Sequence, residues 1–462
     1  MPKFPLTLMA LLLAGLPWQA RADELDQLKA QLAALQSQVS ALQARLAESP
    51  AQANTEADED SRQRIAALAL KVDKLGEDAD TGPLANLSIS GYLDPYYSYN
   101  RNQRKAGFTF VNHSNSYAYD ASNIGDVYLD IKKSFGSGPM APYADISLMP
   151  NRGIGMTSAV NASGSNNSII NAAQIVFPLD QHWQVYAGQL QSFAGYEVAT
   201  SPQTLTITHN LLFDFSEPGT FVGAGAQWIS GNWLWKGMLG NEVGHVEPAS
   251  VDGKRNNVPS FTWRMDYLYT NNIDIGWSGY LGRGTASNYS GTASPYQSMF
   301  YSELDISNSN LQDTWNAQLD YGSAGGDALD GGRAVWWGLS LLRHHRFNSS
   351  LFGKMGWTLR YDYLDNSRGG GGNPNLWLGD NGHDGINGFG SDPACVAANG
   401  ATACKGAKRQ ALTAALLFYP SEQLQLKLEA RYDLSSQATF DTTDGTTRKS
   451  NATMAAQAVY SF

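Results

Sequence analysis

The fold of this chain is clearest in one segment, Leu424-Gln425-Leu426-Lys427-Leu428-Glu429-Ala430-Arg431-Tyr432-Asp433-Leu434. Successive side chains of a strand point to opposite faces, so one face of this segment is apolar and the other is polar or charged. Residues 261–269 and 357–363 alternate in the same way, with aromatic residues prominent on the apolar side. An aromatic outer face with charges turned inward is typical of an outer-membrane β-barrel.

Segments of about ten residues with this alternation follow one another from residue 84 to the C-terminus. Sixteen strands are predicted, at residues 86–99, 117–134, 141–149, 168–178, 182–191, 220–230, 232–241, 260–271, 273–282, 298–307, 312–322, 333–344, 355–365, 409–419, 423–434 and 449–462. Tight turns such as 271–272 alternate with long stretches such as 192–219 and 366–408. An even strand number with this alternation predicts an all-β fold, a transmembrane antiparallel barrel with both ends in the periplasm.

The first 22 residues have the pattern of a cleaved signal peptide. Lys3 precedes an apolar stretch at residues 6–16, and Ala20-Arg21-Ala22 forms a small-residue cleavage site before Asp23. The apolar stretch is too short for a membrane span, and no later stretch offers the roughly 18 apolar residues of a transmembrane helix. We therefore expect export from the cytosol and membrane insertion by strands alone.

Residues 23–80 are predicted to form a short periplasmic coiled coil and a linker. Apolar residues recur there at alternating steps of three and four, at Leu25, Leu28, Leu32, Leu35, Val39, Leu42 and Leu46. A weaker continuation spans 65–75. Three barrels side by side would bring three such segments to one axis, so a homotrimer is expected. The alternative is a single amphipathic helix lying on another surface.

The overall composition narrows the class of protein further. A net charge of −10 and only 16% charged residues argue against nucleic acid as a partner, because phosphates require basic patches. The only cysteines, Cys395 and Cys404, lie in one Gly-rich segment of a chain that leaves the reducing cytosol, so we expect a disulfide. No cofactor is expected.

Several motifs resemble known families. Residues 91–100, Gly-Tyr-Leu-Asp-Pro-Tyr-Tyr-Ser-Tyr-Asn, resemble the opening strand of the OmpL-like β-barrel porins of Gram-negative bacteria, and 195–198 with 210–213 resembles the segment after their fifth strand. The motifs at 360–363, 384–390 and 448–451 also resemble a proteobacterial family of unknown function whose members begin with a coiled coil. The porin resemblance implies a water-filled outer-membrane channel for passive diffusion of small hydrophilic solutes or ions.

The end of the chain resembles an assembly signal. Alternating apolar residues in the last predicted strand lead to Phe462 at the C-terminus. A final strand with a terminal aromatic residue resembles the signal that the barrel-assembly machinery recognises. Outer-membrane lipid and that machinery are therefore expected partners.

Charges on the inward faces of strands are the candidate pore-lining residues. They are Asp126, Asp130, Asp145, Arg264, Asp266, Asp274, Glu303, Asp305, Asp320, Arg360, Asp362, Lys427, Glu429, Arg431 and Asp433. Acids outnumber bases in this set, which predicts a mild preference for cations. The alternative is that many are neutralised by opposite charges on neighbouring strands.

The sequence also allows three other functions. In the Gly/Asp-rich loop 369–390, the side chains of Asp380, Asn381, His383, Asp384 and Asn387 could hold Ca²⁺. Their spacing matches no EF-hand or RTX repeat, so an external loop that is flexible or folds into the pore is favoured and no metal is expected. A barrel hydrolase is disfavoured, because seven histidines including the pair His344-His345 suggest no catalytic set. A structural tether, with the coiled coil bound to peptidoglycan or a periplasmic partner, is the main alternative to a channel.

Overall fold

The structure is a computed structural model that describes residues 85–110, 125–136, 138–149, 169–242, 259–287, 293–372, 378 and 382–462. The predicted signal peptide and coiled coil, including the seven residues of its apolar seam, lie outside these ranges. Leu87–Phe462 forms one compact unit. Within the described ranges, no helix is both long enough and apolar enough to cross a membrane.

Sixteen barrel strands follow in chain order, and the first two are each made of two pieces. They are β1 (Leu87–Leu93 and Tyr96–Asn100), β2 (Lys105–Thr109 and Val127–Ser134), β3 (Tyr143–Leu148), β4 (Ile170–Pro178), β5 (Trp183–Leu190), β6 (Phe221–Ser230), β7 (Trp233–Glu242), β8 (Ser260–Thr270), β9 (Ile273–Ser287), β10 (Ala293–Ser309), β11 (Asp313–Ala324), β12 (Ala334–Ser349), β13 (Gly353–Asp365), β14 (Lys408–Phe418), β15 (Leu424–Ser435) and β16 (Ser450–Ser461).

Each strand pairs antiparallel with its sequence neighbours, and β16 closes the ring on β1. Tyr92 lies opposite Ser461, and the Gly91 amide and the Phe462 carbonyl are 3.0 Å apart. The predicted closed antiparallel barrel of sixteen strands is therefore confirmed. A closed ring leaves no unpaired strand edge, which is the condition for a sheet to lie in a bilayer.

The second strand differs most from its prediction. Its first piece, Lys105–Thr109, was not predicted, and most of the connection to its second piece lies outside the described residues. The neighbouring strand is interrupted at Pro95, which has no N–H for the ladder. Asp94 accepts there from the Asp126 amide at 2.6 Å and fixes where the second piece rejoins the sheet.

The outer face of the barrel is an apolar surface, as the alternation predicts. On β15, Leu428 and Tyr432 are 47% and 42% exposed, whereas Lys427 and Asp433 are 0% exposed on the inner face. Four tryptophans gather near the tight turns of β5 to β7, at Trp183, Trp228, Trp233 and Trp235. We call the end with the tight turns and both chain termini of the barrel the terminal end, and the opposite end the loop end.

Short elements lie in the connections at the loop end. They are helices α1 (Leu211–Phe215) and α2 (Pro393–Asn399), the 3-10 turns Ser201–Gln203, Arg368–Gly370 and Ala401–Ala403, and two small hairpins, His383–Asp384 with Phe389–Gly390 and Phe440–Asp441 with Thr447–Arg448.

Candidate functional site

Residues 191–220, between β5 and β6, turn into the lumen, and we call them the inward segment. Arg264 on β8 holds its start, donating from Nη1 to the carbonyl oxygens of Phe193 (3.0 Å) and Gly195 (3.4 Å). Gly195 has a φ of +77°, and a Cβ there would lie 2.3 Å from Oε1 of Glu217. Glycine is therefore needed where the segment approaches itself.

Helix α1 lies within the inward segment and is covered by the barrel. The Asn210 side chain caps it by accepting from the amides of Leu212 (2.8 Å) and Phe213 (2.7 Å). Leu211 and Leu212 are 0% exposed. On β12, Gly338 makes room for the helix, because a Cβ there would lie 2.1 Å from Cδ2 of Leu212. The wall and the helix are thus fitted to each other.

Arg360 on β13 ties the inward segment to the wall. Its Nη1 lies 3.0 Å from Oε1 of Glu197 and 2.8 Å from the carbonyl oxygen of Thr208, and its Nη2 donates to the carbonyl oxygen of His209 at 2.6 Å. Its Nε pairs with Asp362 of the same strand at 3.0 Å. Two carboxylates and two carbonyls surround the buried guanidinium, which compensates for the loss of water around its charge.

Two residues of β15, Lys427 and Glu429, bind the backbone of the same segment. The Nζ of Lys427 donates to the carbonyl oxygens of Ser201 (2.7 Å) and Thr204 (2.8 Å). The Glu429 carboxylate accepts from the Thr208 amide at 3.2 Å and from its hydroxyl at 2.6 Å. The cation meets carbonyls and the anion meets N–H and O–H donors, so each charge has the hydrogen-bond partners it requires.

A buried acidic cluster lies where the inward segment meets β10 and β11. Its members, all 4% exposed or less, are Glu217, Glu303, Asp305 and Asp320. Arg264 Nη1 is 3.0 Å from Oδ2 of Asp305, and the Gln318 amide donates to Glu217 at 2.7 Å and to Asp320 at 3.0 Å. This part of the lumen is packed with protein groups and is strongly acidic.

An apolar layer lies nearer to the loop end of the barrel than the charged contacts do. The ring of Phe215 in α1 contacts the ring of Phe389, which comes from the connection between β13 and β14; the ring centroids are 4.7 Å apart and the planes are tilted by 55°. Trp336 of β12 donates from Nε1 to the Ser216 hydroxyl at 3.1 Å. The described part of this connection around Phe389 therefore packs on the inward segment.

The fifteen predicted pore-lining residues separate into two groups. Ten are buried beneath other protein groups, namely Asp126, Glu303, Asp305, Asp320, Arg360, Asp362, Lys427, Glu429, Arg431 and Asp433. Five remain partly exposed, namely Asp130, Asp145, Arg264, Asp266 and Asp274. All five lie on β2, β3, β8 or β9. We call the wall from β2 to β9 the exposed half, after these side chains, and the wall from β10 to β16 the covered half, although inward side chains such as Tyr186 and Tyr280 are buried in the exposed half too.

Opposite charges in the lumen pair within strands as well as between them. Arg409 of β14 lies 3.0 Å from Asp433 of β15, a pair across neighbouring strands. Arg431 lies 3.1 Å from the same Asp433, two residues along its own strand, and Arg264 lies 2.7 Å from Asp266 in the same relation. Ion pairs between neighbouring strands thus neutralise only some of the lumen charges, and pairs within one strand neutralise others.

Several charged residues of the site were missed by the sequence analysis. Glu197 and Glu217 lie in a connection without alternation, so no periodic signal marked them. Lys236 is different, because it alternates with Trp233 and Trp235 on β7 and could have been found. Its Nζ lies 4.0 Å from the ring centroid of Phe193 in the inward segment.

The connection at 366–407 also contains the two cysteines and the candidate calcium ligands. Cys395 and Cys404 are joined by a disulfide in the structure. Asp384 accepts from the amides of Ile386 (3.1 Å) and Asn387 (3.0 Å). Residues 380 and 381 lie outside the described ranges. In the part of the chain that is described, no group of acidic, histidine or cysteine side chains could hold a metal ion.

The adjacent histidines of β12 do not share a site. His344 is 0% exposed and its Nδ1 lies 2.9 Å from the Thr358 hydroxyl inside the barrel. His345 faces outward and its Nδ1 lies 3.1 Å from Asp313. Alternation of the strand places the two rings on opposite faces of the wall.

Solved structures with a similar fold include porins and other outer-membrane proteins. The anion-selective porin from Comamonas acidovorans has a TM-score of 0.53 and 9% identity over 81% of this chain and 99% of that chain. In-vitro folded OmpT of Vibrio cholerae (0.48, 8%) and OmpF of Salmonella typhi in complex with daunomycin (0.48, 9%) each cover 81% of this chain and 97% of theirs. At such identities the similarity concerns the fold alone.

The barrel is therefore porin-like in fold, as expected. No curated protein matches the chain in sequence. A family model, however, matches residues 50–462, which include the whole barrel. The chain belongs to the family described as "Protein of unknown function (DUF3138)".

Proposed function

We propose that the protein is an outer-membrane channel for passive diffusion of small hydrophilic solutes or ions. The observation that carries this proposal is the contrast between the two halves of the inner wall. The inward segment covers the charges of β13 and β15, whereas Asp130, Asp145, Asp266 and Asp274 keep contact with solvent. Water beside these side chains provides a polar path along β2 to β9 for a hydrated solute.

The location follows from the outer surface. An apolar band with aromatic residues near the tight turns suits a bilayer, and the closed ring satisfies its backbone hydrogen bonds internally. The terminal end then faces the periplasm, where the segment at residues 23–80 would lie after removal of the signal peptide. The barrel-assembly machinery would recognise Phe462 before the ring closes.

The exposed half of the wall favours cations over anions. Its four partly exposed carboxylates face two lysines that are also partly exposed, Lys132 and Lys236. Arg264 adds a third cation, but its contacts with Asp266 and Asp305 offset its charge. The excess of carboxylates in the lumen as a whole adds a negative field, so a mild cation preference is expected.

Single-channel recording in a planar bilayer tests the proposal directly. Asp274→Cys places a thiol on the exposed half, and a charged thiol-specific reagent should reduce its conductance. Thr413→Cys on β14 is the matched control, because Thr413 faces the lumen but is 0% exposed. Under a salt gradient, the reversal potential should have the sign that indicates a preference for cations. A protein that forms no channel, or equal block of both variants, would count against the proposal.

A structural tether is the second candidate function. The apolar layer formed by Phe215 and Phe389, together with the covered half of the wall, restricts the lumen and is compatible with a barrel that serves as an anchor. Deletion of residues 23–80 with the signal retained separates the two functions. Unchanged conductance with a lost envelope phenotype would favour the tether.

We also propose that the barrel is a homotrimer held in part by the predicted coiled coil. The seam from Leu25 to Leu46 is about three heptads long, which is marginal for an isolated coil. Barrels packed side by side would raise the effective concentration of the three segments and stabilise the coil.

A further inference from the structure

A concave region on the outer surface of the barrel has no part in the proposed channel. A groove of about 370 Å³ crosses β10 to β14 near the terminal end. Ala317 on β11 forms its floor, because larger residues flank it on both neighbouring strands, Ile306 on β10 and Leu341 on β12. A groove of this volume lies within the range of small-molecule sites.

The sides of the groove are apolar and open outward. Leu341 and Leu359 are 44% and 50% exposed, and Leu412 on the far side is 56% exposed. These side chains belong to the bilayer-facing surface of the barrel, where the surrounding medium is lipid. Acyl chains therefore surround the groove, and one of them can fill it without leaving the hydrocarbon.

The end of the groove nearest the tight turns is charged. Arg343 faces outward from β12, 33% exposed, with its guanidinium carbon 4.0 Å from the ring centroid of Trp315. Its Nη2 donates to Oδ1 of Asp313 at 2.8 Å, and His345 lies 3.1 Å from the same oxygen. Two basic residues thus share one carboxylate at the edge of an apolar surface.

The Arg343 guanidinium is not saturated by this contact. A guanidinium has five N–H donors, and within the described part of the chain only the bond to Asp313 engages one of them. Trp315 and Trp357 place this level of the barrel in the aromatic belt, where lipid headgroups lie. A phosphate oxygen is the acceptor that a partly free guanidinium binds best at such a position.

We infer that this groove is a binding site for one phospholipid of the periplasmic leaflet. An acyl chain lies over Ala317 between Ile306 and Leu341, and the phosphate accepts hydrogen bonds from Arg343 beside Trp315. The site is separate from the lumen and goes beyond the proposed channel function. It requires only that the barrel lies in a bilayer with its terminal end in the periplasm.

Lipid retention by the purified full-length protein tests the inference. Protein stripped of lipid in detergent is mixed with phosphatidylglycerol, or with diacylglycerol of the same chains as a phosphate-free control, and bound lipid is counted by native mass spectrometry. Wild type should retain phosphatidylglycerol and little diacylglycerol. Arg343→Gln should weaken retention about tenfold, as expected for loss of hydrogen bonds to a charged group.

Two further variants test whether the lipid binds in the groove or anywhere on the outer surface of the barrel. Ala317→Phe fills the floor and should abolish retention, whereas Ala430→Phe, an equal change on the outer face of β15, should not. Phosphatidylglycerol with brominated chains should quench Trp315, measured as the difference between wild type and Trp315→Phe. This optical measurement needs only folded protein.

Three outcomes would overturn the inference. One is retention of phosphatidylglycerol no greater than that of diacylglycerol. Another is equal retention by Ala317→Phe and Ala430→Phe. The third is a change of oligomeric state in Ala317→Phe with lipid retention intact, which would make the groove a contact between copies of the chain.

Discussion

Arg360 of β13 and Glu197 of the inward segment form a buried ion pair of 3.0 Å between residues 163 positions apart in the chain. Arg360→Met removes the cation and leaves Glu197 buried without it, at a cost of about 3 to 5 kcal/mol. The barrel should still assemble, because its strand ladder is untouched, but the inward segment should leave the wall and single-channel conductance should rise. Arg448→Met, at an exposed arginine, is the control. Unchanged conductance in both variants would contradict this prediction.

Close packing at Gly338 should also control the lumen. Gly338→Ala puts a methyl group against Leu212 and 2.8 Å from the carbonyl oxygen of Tyr363, so α1 must shift. We expect faster proteolysis of the inward segment and a larger or noisier conductance. Adding Leu212→Ala removes the main clash and should restore part of the wild-type behaviour. If the double variant is no better than the single one, the helix does not pack there as described.

Opposite faces of β15 should respond differently to substitution. Leu428→Arg places a charge on the outer face, where arginine costs about 2 to 4 kcal/mol at the bilayer midplane, so little heat-modifiable barrel should form. Lys427→Met should assemble, but it leaves the carbonyls of Ser201 and Thr204 without their buried donor and should loosen the inward segment. Gel migration of boiled and unboiled samples measures assembly. A reversed order of the two variants would show that the strand faces are misassigned.

The disulfide should stabilise the connection at 366–407 without being needed for the barrel. Replacing Cys395 and Cys404 by serine removes a cross-link that typically contributes about 2 to 4 kcal/mol. We expect a normal heat-modifiable barrel but faster tryptic cleavage near Lys405. Reduced wild type provides the comparison, since it should show the same sensitivity. Equal cleavage of oxidised and reduced protein would mean that the cross-link contributes nothing there.

The proposed trimer can be tested through the predicted coil. A cysteine at Gln31, cross-linked in native membranes, should report three chains. Leu28→Asp with Leu35→Asp should reduce the cross-linking, because both residues lie in the apolar seam, and should leave each barrel folded. A purely monomeric cross-linking pattern in wild type would rule out the proposed assembly.

The barrel could be predicted from the sequence because its signal is local. Alternation in each segment, such as residues 424–434, reflects a strand with lipid on one side, and no distant residue is needed to see it. Predicted strand boundaries are wrong where the sequence no longer alternates between apolar and polar residues. Strand β9 continues to Ser287 rather than ending at 282, because residues 283–287, Arg-Gly-Thr-Ala-Ser, show no alternation of large apolar and polar residues in the sequence.

The filling of the lumen could not be predicted in the same way. Lys427, Glu429 and Arg431 were correctly placed on the inner face, yet nothing in their own strand indicates that the inward segment would meet them. Its residues 191–220 have neither the alternation of a strand nor a long helical period. Their structure depends on side chains of β13 and β15. Arg360 lies more than 150 positions after the Thr208 carbonyl that it binds, and Glu429 lies more than 200 positions after the Ile207 amide that it binds.

Those separations have a consequence for the order of assembly. The inward segment is synthesised after the fifth of sixteen strands, yet Lys427 binds it from 226 positions downstream and Glu429 from 222. Contacts across such separations form late, because the intervening chain must be ordered first. In a nascent barrel, Arg264 and Arg360 can bind the inward segment before β15 is in place, but its contacts with Lys427 and Glu429 cannot yet form. Completing these contacts and closing the ring are then nearly simultaneous steps, and a folding intermediate that lacks the last strands would hold the segment less firmly and be more permeable than the finished barrel.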